Sequence, residues 1–174
     1  ACSTCRRAAI HSRSGAALRD VVSVLRRRCP ALRVTLLPVS VQGKDAEAQI
    51  LEALDRVADW PAEFGAEPDV VLLTRGGGSL EDLWTFNEEA VARAIVNCSV
   101  PVISAIGHET DFTICDFIAD VRAPTPTGAA ALIAPDRVAV ARDVAGARLR
   151  LQRAALRALE VPMQRLDVLE RRLM

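Results

Sequence analysis

Aromatic residues are scarce in this sequence: they make up 3% of its 174 residues, and tyrosine is absent. Composition therefore gives little support to a protein that binds single strands mainly by stacking bases on aromatic rings. The sequence also lacks the roughly 18 consecutive apolar residues of a transmembrane helix and the charged-then-apolar start of a secretory signal. We expect no membrane association. Because the sequence does not begin with Met, we expect a piece of a longer protein.

Cysteine spacing gives little support to a metal centre or a disulfide framework. The sequence has five cysteines, an odd number. Cys2 and Cys5 have the spacing of half a zinc site, but no second pair of Cys or His follows at ligand spacing. We expect reduced thiols in a cytoplasmic protein, and no metal site built on cysteine.

Charge is balanced overall but unevenly distributed. Residues 1–33 hold eight Arg and one acid, residues 34–134 hold five basic and sixteen acidic residues, and residues 135–174 hold nine Arg and five acids. Two basic ends flanking an acidic middle are compatible with a polyanionic partner. Solvated helix faces would explain the same distribution.

Hydrophobic periodicity predicts an α/β fold. Short apolar runs at residues 7–11, 34–38, 69–74 and 100–106 read as strands, and the segments between them carry the periodicity of helices. Such alternation indicates a Rossmann-like core, a parallel sheet flanked by helices. We place this core at residues 1–128, with residues 123–127 as an extended connector.

A long C-terminal helix is predicted from residue 129 to residue 174. Apolar residues recur in it at intervals of seven: Leu149, Leu156 and Met163, and also Leu159, Leu166 and Leu173. This spacing is typical of a coiled coil, so the helix is expected to begin a coiled-coil region and to need a partner helix.

A glycine-rich turn follows the third predicted strand. Arg75 and Ser79 bracket Gly76, Gly77 and Gly78, whose amides can approach an anion closely. The arginine adds a fork that matches phosphate. The turn lacks the Lys of a phosphate-binding P-loop, and a simple tight turn is an equally good interpretation.

Two further loops carry candidate site residues. His108 follows the fourth predicted strand, with Asp111 three residues later, one turn away if a helix begins there; such a pair suits acid–base chemistry. Ser14 and Gly15 precede the first helix, which carries Asp20. Taken alone, these acids could equally charge helix surfaces.

Three ordered runs of sequence resemble one known family. They are Arg75–Glu89 (RGGGSLEDLWTFNEE), Pro101–Asp111 (PVISAIGHETD) and Asp116–Thr127 (DFIADVRAPTPT). Together with residues 14–20 and 41–43 they resemble the large subunit of bacterial exodeoxyribonuclease VII, over roughly residues 7–150. The first strand departs from the family's usual pattern at Ala8–Ser12.

This resemblance implies a nuclease that degrades single-stranded DNA from both ends to short oligonucleotides and 5′-phosphates, in DNA repair and catabolism. It implies Asp20, Arg75, His108 and Asp111 as catalytic residues. Substrate contacts are expected from the two loops, at Ser14, Gly15, Gly76, Gly77, Gly78 and Ser79. No cofactor is required by the sequence, although Asp20 and Asp111 leave room for Mg²⁺.

The resemblance also implies partners and missing parts. The family has an N-terminal OB-fold domain and C-terminal helices that bind several copies of a small subunit, and its large subunit is expected to self-associate. Two alternatives stay open: an α/β module that binds single-stranded DNA or a nucleotide without cleaving it, and an assembly protein that acts mainly through its coiled coil.

Overall fold

The computed structural model of the chain describes residues 6–11, 15–60, 68–76, 81–107, 110–134 and 136–173. It divides into two compact units, residues 1–135 and residues 136–174. In the described ranges, no helix is both long and apolar enough to cross a membrane.

A parallel sheet of five strands forms the centre of the first unit, with the strand order β2-β1-β3-β4-β5. The strands are β1 (Arg6–His11), β2 (Arg33–Pro38), β3 (Val70–Thr74), β4 (Val102–Ala105) and β5 (Val121–Arg122). All five residues of β3 are buried. A continuous aliphatic run suits this central position, because a parallel strand covered on both faces exposes no side chain to water.

Helices cover both faces of this sheet. They are α1 (Ala16–Arg28), α2 (Ala46–Ala58), α3 (Glu89–Val96), α4 (Ile114–Ile118) and α5 (Pro126–Ile133), with a 3₁₀ segment at Glu81–Asn87. Side chains of β3 alternate between the two cores, since successive strand residues point to opposite faces. Val71 and Leu73 pack with α2, α3 and the 3₁₀ segment, and Val70 and Leu72 pack with α1 and α5. The predicted α/β fold with a parallel sheet flanked by helices is confirmed.

Residues 123–133 differ from the expected extended connector and long helix. Thr125 ends an extended stretch, its hydroxyl accepts the Gly128 amide at 3.0 Å, and Pro126 occupies the first turn of α5. Proline is favourable there because the first amides of a helix have no intrahelical partner. Helix α5 buries Ala129, Ala130 and Ile133 in the core.

Helix α6 (Arg137–Leu173) makes up the second unit. The helical pattern of the sequence allows a start at residue 129 or at residue 135, and the helix begins at Arg137, close to the second. The residue before a proline disfavours helical backbone, and Ala134, which precedes Pro135, is extended. Asp136 then caps α6 by accepting the amides of Val138 and Ala139 at 2.9 and 3.3 Å.

Helix α6 exposes most of its apolar side chains. Those more than 60% exposed are Val138, Val144, Leu151, Leu156, Met163 and Leu173. Its 37 residues correspond to a length of about 55 Å. The expected long C-terminal helix is confirmed, while its pairing in a coiled coil stays a prediction.

Candidate active site

The candidate site lies at the carboxyl ends of the sheet strands. The three loops that carry the predicted site residues follow β1, β3 and β4, which are neighbours in the sheet. Because all strands are parallel, these loops emerge at the same edge. Chain order reverses direction between β1 and β3, and ligands of open α/β sheets bind beside such a switch point.

Arg75 directly follows β3 at this edge. Arg75 is only 4% exposed. Its backbone amide donates to the Ala105 carbonyl at 3.3 Å, and this hydrogen bond extends the pairing of β3 with β4. A guanidinium keeps its charge in proteins. A buried permanent cation at the end of a central strand is an electrostatic feature that an anionic ligand would match.

Gly76 brings the β3 loop against the first turn of α1. A Cβ added at Gly76 would lie 3.5 Å from the Ala17 Cβ, an ordinary van der Waals distance, so the turn after β3 and the first turn of α1 are neighbours with room for one methyl group between them. Asp20 follows Ala17 by three residues and therefore lies one turn further along the same face of α1. The Asp20 side chain is exposed. Asp20 and Arg75 are thus carried by neighbouring segments.

Gly107 allows the loop after β4 to fold back on itself. A Cβ at this position would lie 2.5 Å from the Asp111 carbonyl oxygen and 3.0 Å from the Asp111 Cβ, so any larger residue would collide with backbone. The Thr110 hydroxyl donates to Asp111 Oδ1 at 3.3 Å. Asp111 is half-buried and held close to the end of β4.

The helix after this loop begins later than expected. We predicted helical backbone from Thr110, but α4 begins at Ile114. Asp116 accepts the amide and the hydroxyl of Thr113, both at 2.9 Å, and so closes the start of the helix. Asp111 therefore lies in the loop before α4. The alternative explanation for an acid at this position was that it caps the helix, but the N-cap residue of α4 is Thr113.

Asp116 also forms a buried polar centre that sequence reasoning missed. It is 6% exposed, accepts the Ser104 hydroxyl at 2.6 Å, and lies 3.8 Å from the Arg122 Nε. Arg122 in turn donates from Nη2 to the Asp111 carbonyl at 3.4 Å. The Thr113–Asp116 spacing of a capping box was the available signal. Through this network β4, β5 and α4 together hold the Asp111 backbone.

Five of the predicted site residues lie outside the described part of the chain: Ser14, Gly77, Gly78, Ser79 and His108. The structure brings the remaining ones, Gly15, Asp20, Arg75, Gly76 and Asp111, to the same edge of the sheet. The roles of all ten residues stay predictions.

Other reactive groups at this edge contribute little. Burial raises the pKa of the Cys115 thiol to about 12, with a further contribution from the negative charge of Asp116. A thiol with that pKa is protonated at neutral pH and is a poor nucleophile. Among the residues described, no three His, Cys, Asp or Glu side chains are grouped so that they could hold a metal ion.

Comparison with known proteins gives one consistent family. The sequence model of the exonuclease VII large subunit matches residues 4–174. The chain is 54% identical over 168 residues to the exodeoxyribonuclease 7 large subunit of Xanthomonas euvesicatoria, covering 97% of this chain and 37% of that protein. The corresponding protein of Nitrosomonas eutropha is 53% identical over 164 residues, which cover 94% of this chain and 36% of that protein. The chain thus spans little more than a third of the relatives that it matches.

Proposed function

This chain belongs to the exonuclease VII large-subunit family, and from that premise we propose that it forms the catalytic core of a nuclease. Its reaction is hydrolysis of phosphodiester bonds in single-stranded DNA, from both 5′ and 3′ ends, to short oligonucleotides and nucleoside 5′-phosphates. Its biological setting is DNA repair and DNA catabolism. The name of its relatives, exodeoxyribonuclease 7 large subunit, supports hydrolysis of DNA as the class of reaction.

The observation that carries this proposal is the convergence of three loops at one edge of the sheet. Strands β1, β3 and β4 are adjacent and parallel, so their following loops share that edge. Of the four proposed catalytic residues, Arg75 and His108 belong to the second and third of these loops. Asp111 follows His108 in the third loop, and Asp20 is on the helix that continues the first.

Arg75 and the neighbouring backbone amides are proposed to bind the scissile phosphate. The guanidinium would neutralise charge that builds on the phosphoryl oxygens during attack by water. The residue is 4% exposed, so water screens its charge little. Gly76 follows Arg75 directly and lies beside the first turn of α1, where its added Cβ would be 3.5 Å from the Ala17 Cβ.

His108 is proposed to transfer the proton that hydrolysis requires. Water attacks phosphorus, the bond from phosphorus to the 3′ oxygen breaks, and the products carry a 5′-phosphate and a 3′-hydroxyl. The imidazole either accepts the proton of the attacking water or donates one to the leaving 3′ oxygen. Asp111 or Asp20 would orient the ring and stabilise its charged form.

Magnesium is the cofactor that these residue types would accept. Asp20 and Asp111 supply hard oxygen ligands, and Mg²⁺ commonly uses one or two carboxylates together with water and substrate phosphate. The proposed chemistry does not depend on the ion, since Arg75 and His108 supply charge stabilisation and proton transfer.

The assembly is also a proposal, because the chain covers 37% of its relative's length. The proposed partners are single-stranded DNA, several copies of a small subunit, and a second large subunit. Helix α6 supports the protein partners, since its exposed leucines recur at intervals that suit a partner helix. This exposure also favours the second candidate function, assembly through the coiled coil.

The test is cleavage of 5′-labelled and 3′-labelled single-stranded DNA by the full-length large subunit with its small subunit, in Mg²⁺ and in EDTA. His108→Ala should lower the rate about 10²–10⁴-fold, the usual contribution of acid–base catalysis. Arg75→Lys should also lower it, because lysine cannot replace a bidentate guanidinium. Arg93→Lys is the matched control, since Arg93 forms an exposed ion pair with Glu89 on α3.

Each outcome has a separate meaning. Cleavage that persists in EDTA and disappears with His108→Ala supports acid–base chemistry without a metal. Loss in EDTA assigns Asp20 and Asp111 to a metal. Salt-sensitive DNA binding without any product would leave only the alternative, a single-strand DNA or nucleotide-binding module.

A further inference from the structure

Among the aromatic residues that the structure describes, Trp60 and Phe86 belong to the core, whereas Trp84 (69% exposed), Phe112 and Phe117 lie at the surface. Trp60 and Phe86 are buried at 1% and 0% exposure. Phe112 and Phe117 are 54% and 76% exposed, and their rings stack with centroids 5.6 Å apart at an interplanar angle of 22°. Two large apolar rings held together in water are not explained by core formation, and such surfaces mark binding sites.

The ring pair is fixed to the candidate active site. Phe112 directly follows Asp111, and the Arg122 guanidinium carbon lies 3.9 Å from the centre of the Phe112 ring. Arg122 also donates to the Asp111 carbonyl and faces the buried Asp116. Phe117 is on α4, whose first turn is closed by Thr113 and Asp116. Arg122 thus holds the Phe112 ring beside Asp111, and Phe117 stacks on that ring.

The chemistry of the surroundings identifies the occupant. A protein partner with an apolar surface would have to desolvate Arg122 and Asp111 beside the rings, which is costly. A nucleic acid strand brings the π-face of a base, which matches the exposed rings. Adjacency to Asp111 places the Phe112 ring in the loop that carries the proposed catalytic residues.

We propose that Phe112 and Phe117 form a stacking platform for an unpaired base of the DNA strand bound at the active site. This inference rests on the proposed nuclease function and adds to it a means of selecting single strands. Paired bases in a duplex offer only their edges, whereas an unpaired base can turn its face to the rings. The platform tolerates any sequence, because every base has a π-face.

The test uses the full-length large subunit with its small subunit and two probes of equal length: oligothymidine, and an abasic strand of the same sugar–phosphate backbone. Phe117→Leu keeps an apolar side chain but removes the ring. Because Phe117 is largely exposed, the variant should fold. Leu132→Ala, at a residue 62% exposed on α5, is the matched control for losing an exposed apolar group.

Phe117→Leu should weaken the binding of oligothymidine by about fivefold or more. Binding is measured by fluorescence anisotropy in EDTA, and all variants carry His108→Ala so that the probe is not cleaved. The affinity of Phe117→Leu for the abasic strand should equal that of the parent, and Leu132→Ala should match the parent on both probes. Equal loss on both probes, unchanged affinity for oligothymidine, or a changed assembly state by sedimentation would each overturn the platform. If the unsubstituted assembly, which keeps His108, binds DNA but never cleaves it, the nuclease function is refuted. The difference in oligothymidine affinity between Phe117→Leu and its parent still tests the platform in that case.

Discussion

The α/β unit and helix α6 contain similar apolar side chains in very different surroundings. In the first unit Val71, Leu72 and Phe86 are at most 1% exposed. In α6, Leu151, Leu156 and Leu159 are 60–70% exposed. An apolar stripe thus predicts that a helix will bury one face, but it does not say whether the same chain supplies the cover.

This difference leads to a first prediction about stability, and it should be the largest effect. Phe86→Ala should lower the free energy of unfolding by about 3–5 kcal/mol, because it leaves a cavity between the sheet and its helices. Leu156→Ala should change it by no more than about 0.5 kcal/mol. Urea titration of the isolated chain followed by circular dichroism measures both. A loss above 2 kcal/mol for Leu156→Ala would mean that α6 is already covered in the isolated chain.

The second prediction compares two glycines, one in each unit. Gly107→Ala should destabilise the chain by about 1–3 kcal/mol and reduce nuclease activity of the full assembly, because its Cβ would collide with the Asp111 backbone. Gly146→Ala should stabilise α6 by up to about 1 kcal/mol. Its Cβ would meet only the movable end of the Arg150 side chain, at 3.4 Å.

Thermal unfolding and cleavage assays distinguish these two glycine variants. If Gly107→Ala keeps full activity and stability, the loop after β4 does not need its close return to Asp111. If Gly146→Ala lowers helicity, α6 is bent or packed at that point.

The third prediction concerns the caps of two helices and should amount to about 0.5–2 kcal/mol each. Thr125→Ala removes the hydroxyl that caps α5, and should lower the stability of the whole α/β unit because α5 buries its alanines in the core. Asp136→Ala removes the cap of α6 and should reduce only the helicity of that unit. Hydrogen exchange would locate each loss; a global effect of Asp136→Ala would show that the two units unfold together.

The last prediction concerns Cys115 and appears only at high pH. Burial raises the pKa of its thiol from 9.0 to about 12, so the folded chain keeps the thiol protonated while the unfolded chain ionises it. This contribution to stability is complete below pH 9 and is lost between pH 9 and 12, at up to about 1.4 kcal/mol per pH unit. Cys115→Ala should lower this slope of unfolding free energy against pH. An unchanged slope would contradict the buried, neutral thiol.

Local sequence predicted the elements whose signals are strong and repeated. The run Val70–Thr74 and the helical spacing of Ile50, Leu54 and Val57 were correctly assigned, because burial on a strand or a helix face imposes a period on apolar residues. The predicted parallel sheet also implies that the three site loops share one edge.

Short elements were missed for a physical reason. Strand β5 has only two residues, and its place is decided by pairing with β4. The start of α4 depends on Asp116, whose carboxylate accepts the Thr113 amide. Charge alone pointed to Asp111 as the acid at the start of this helix. The first two residues of α5 were assigned to the extended connector and the rest of it to the long C-terminal helix, although Thr125 and Pro126 form a separate helix start.

By itself, the sequence determined the α/β class, the family and the order of the three loops, because these follow from periodicity and from ordered motifs. Only the tertiary structure decided which neighbours those loops acquire. The approach of Gly76 to Ala17, the buried contact of Asp116 with Ser104, and the stacking of Phe112 on Phe117 join residues from different turns or elements. Such contacts depend on sheet order and helix packing, which no local pattern encodes.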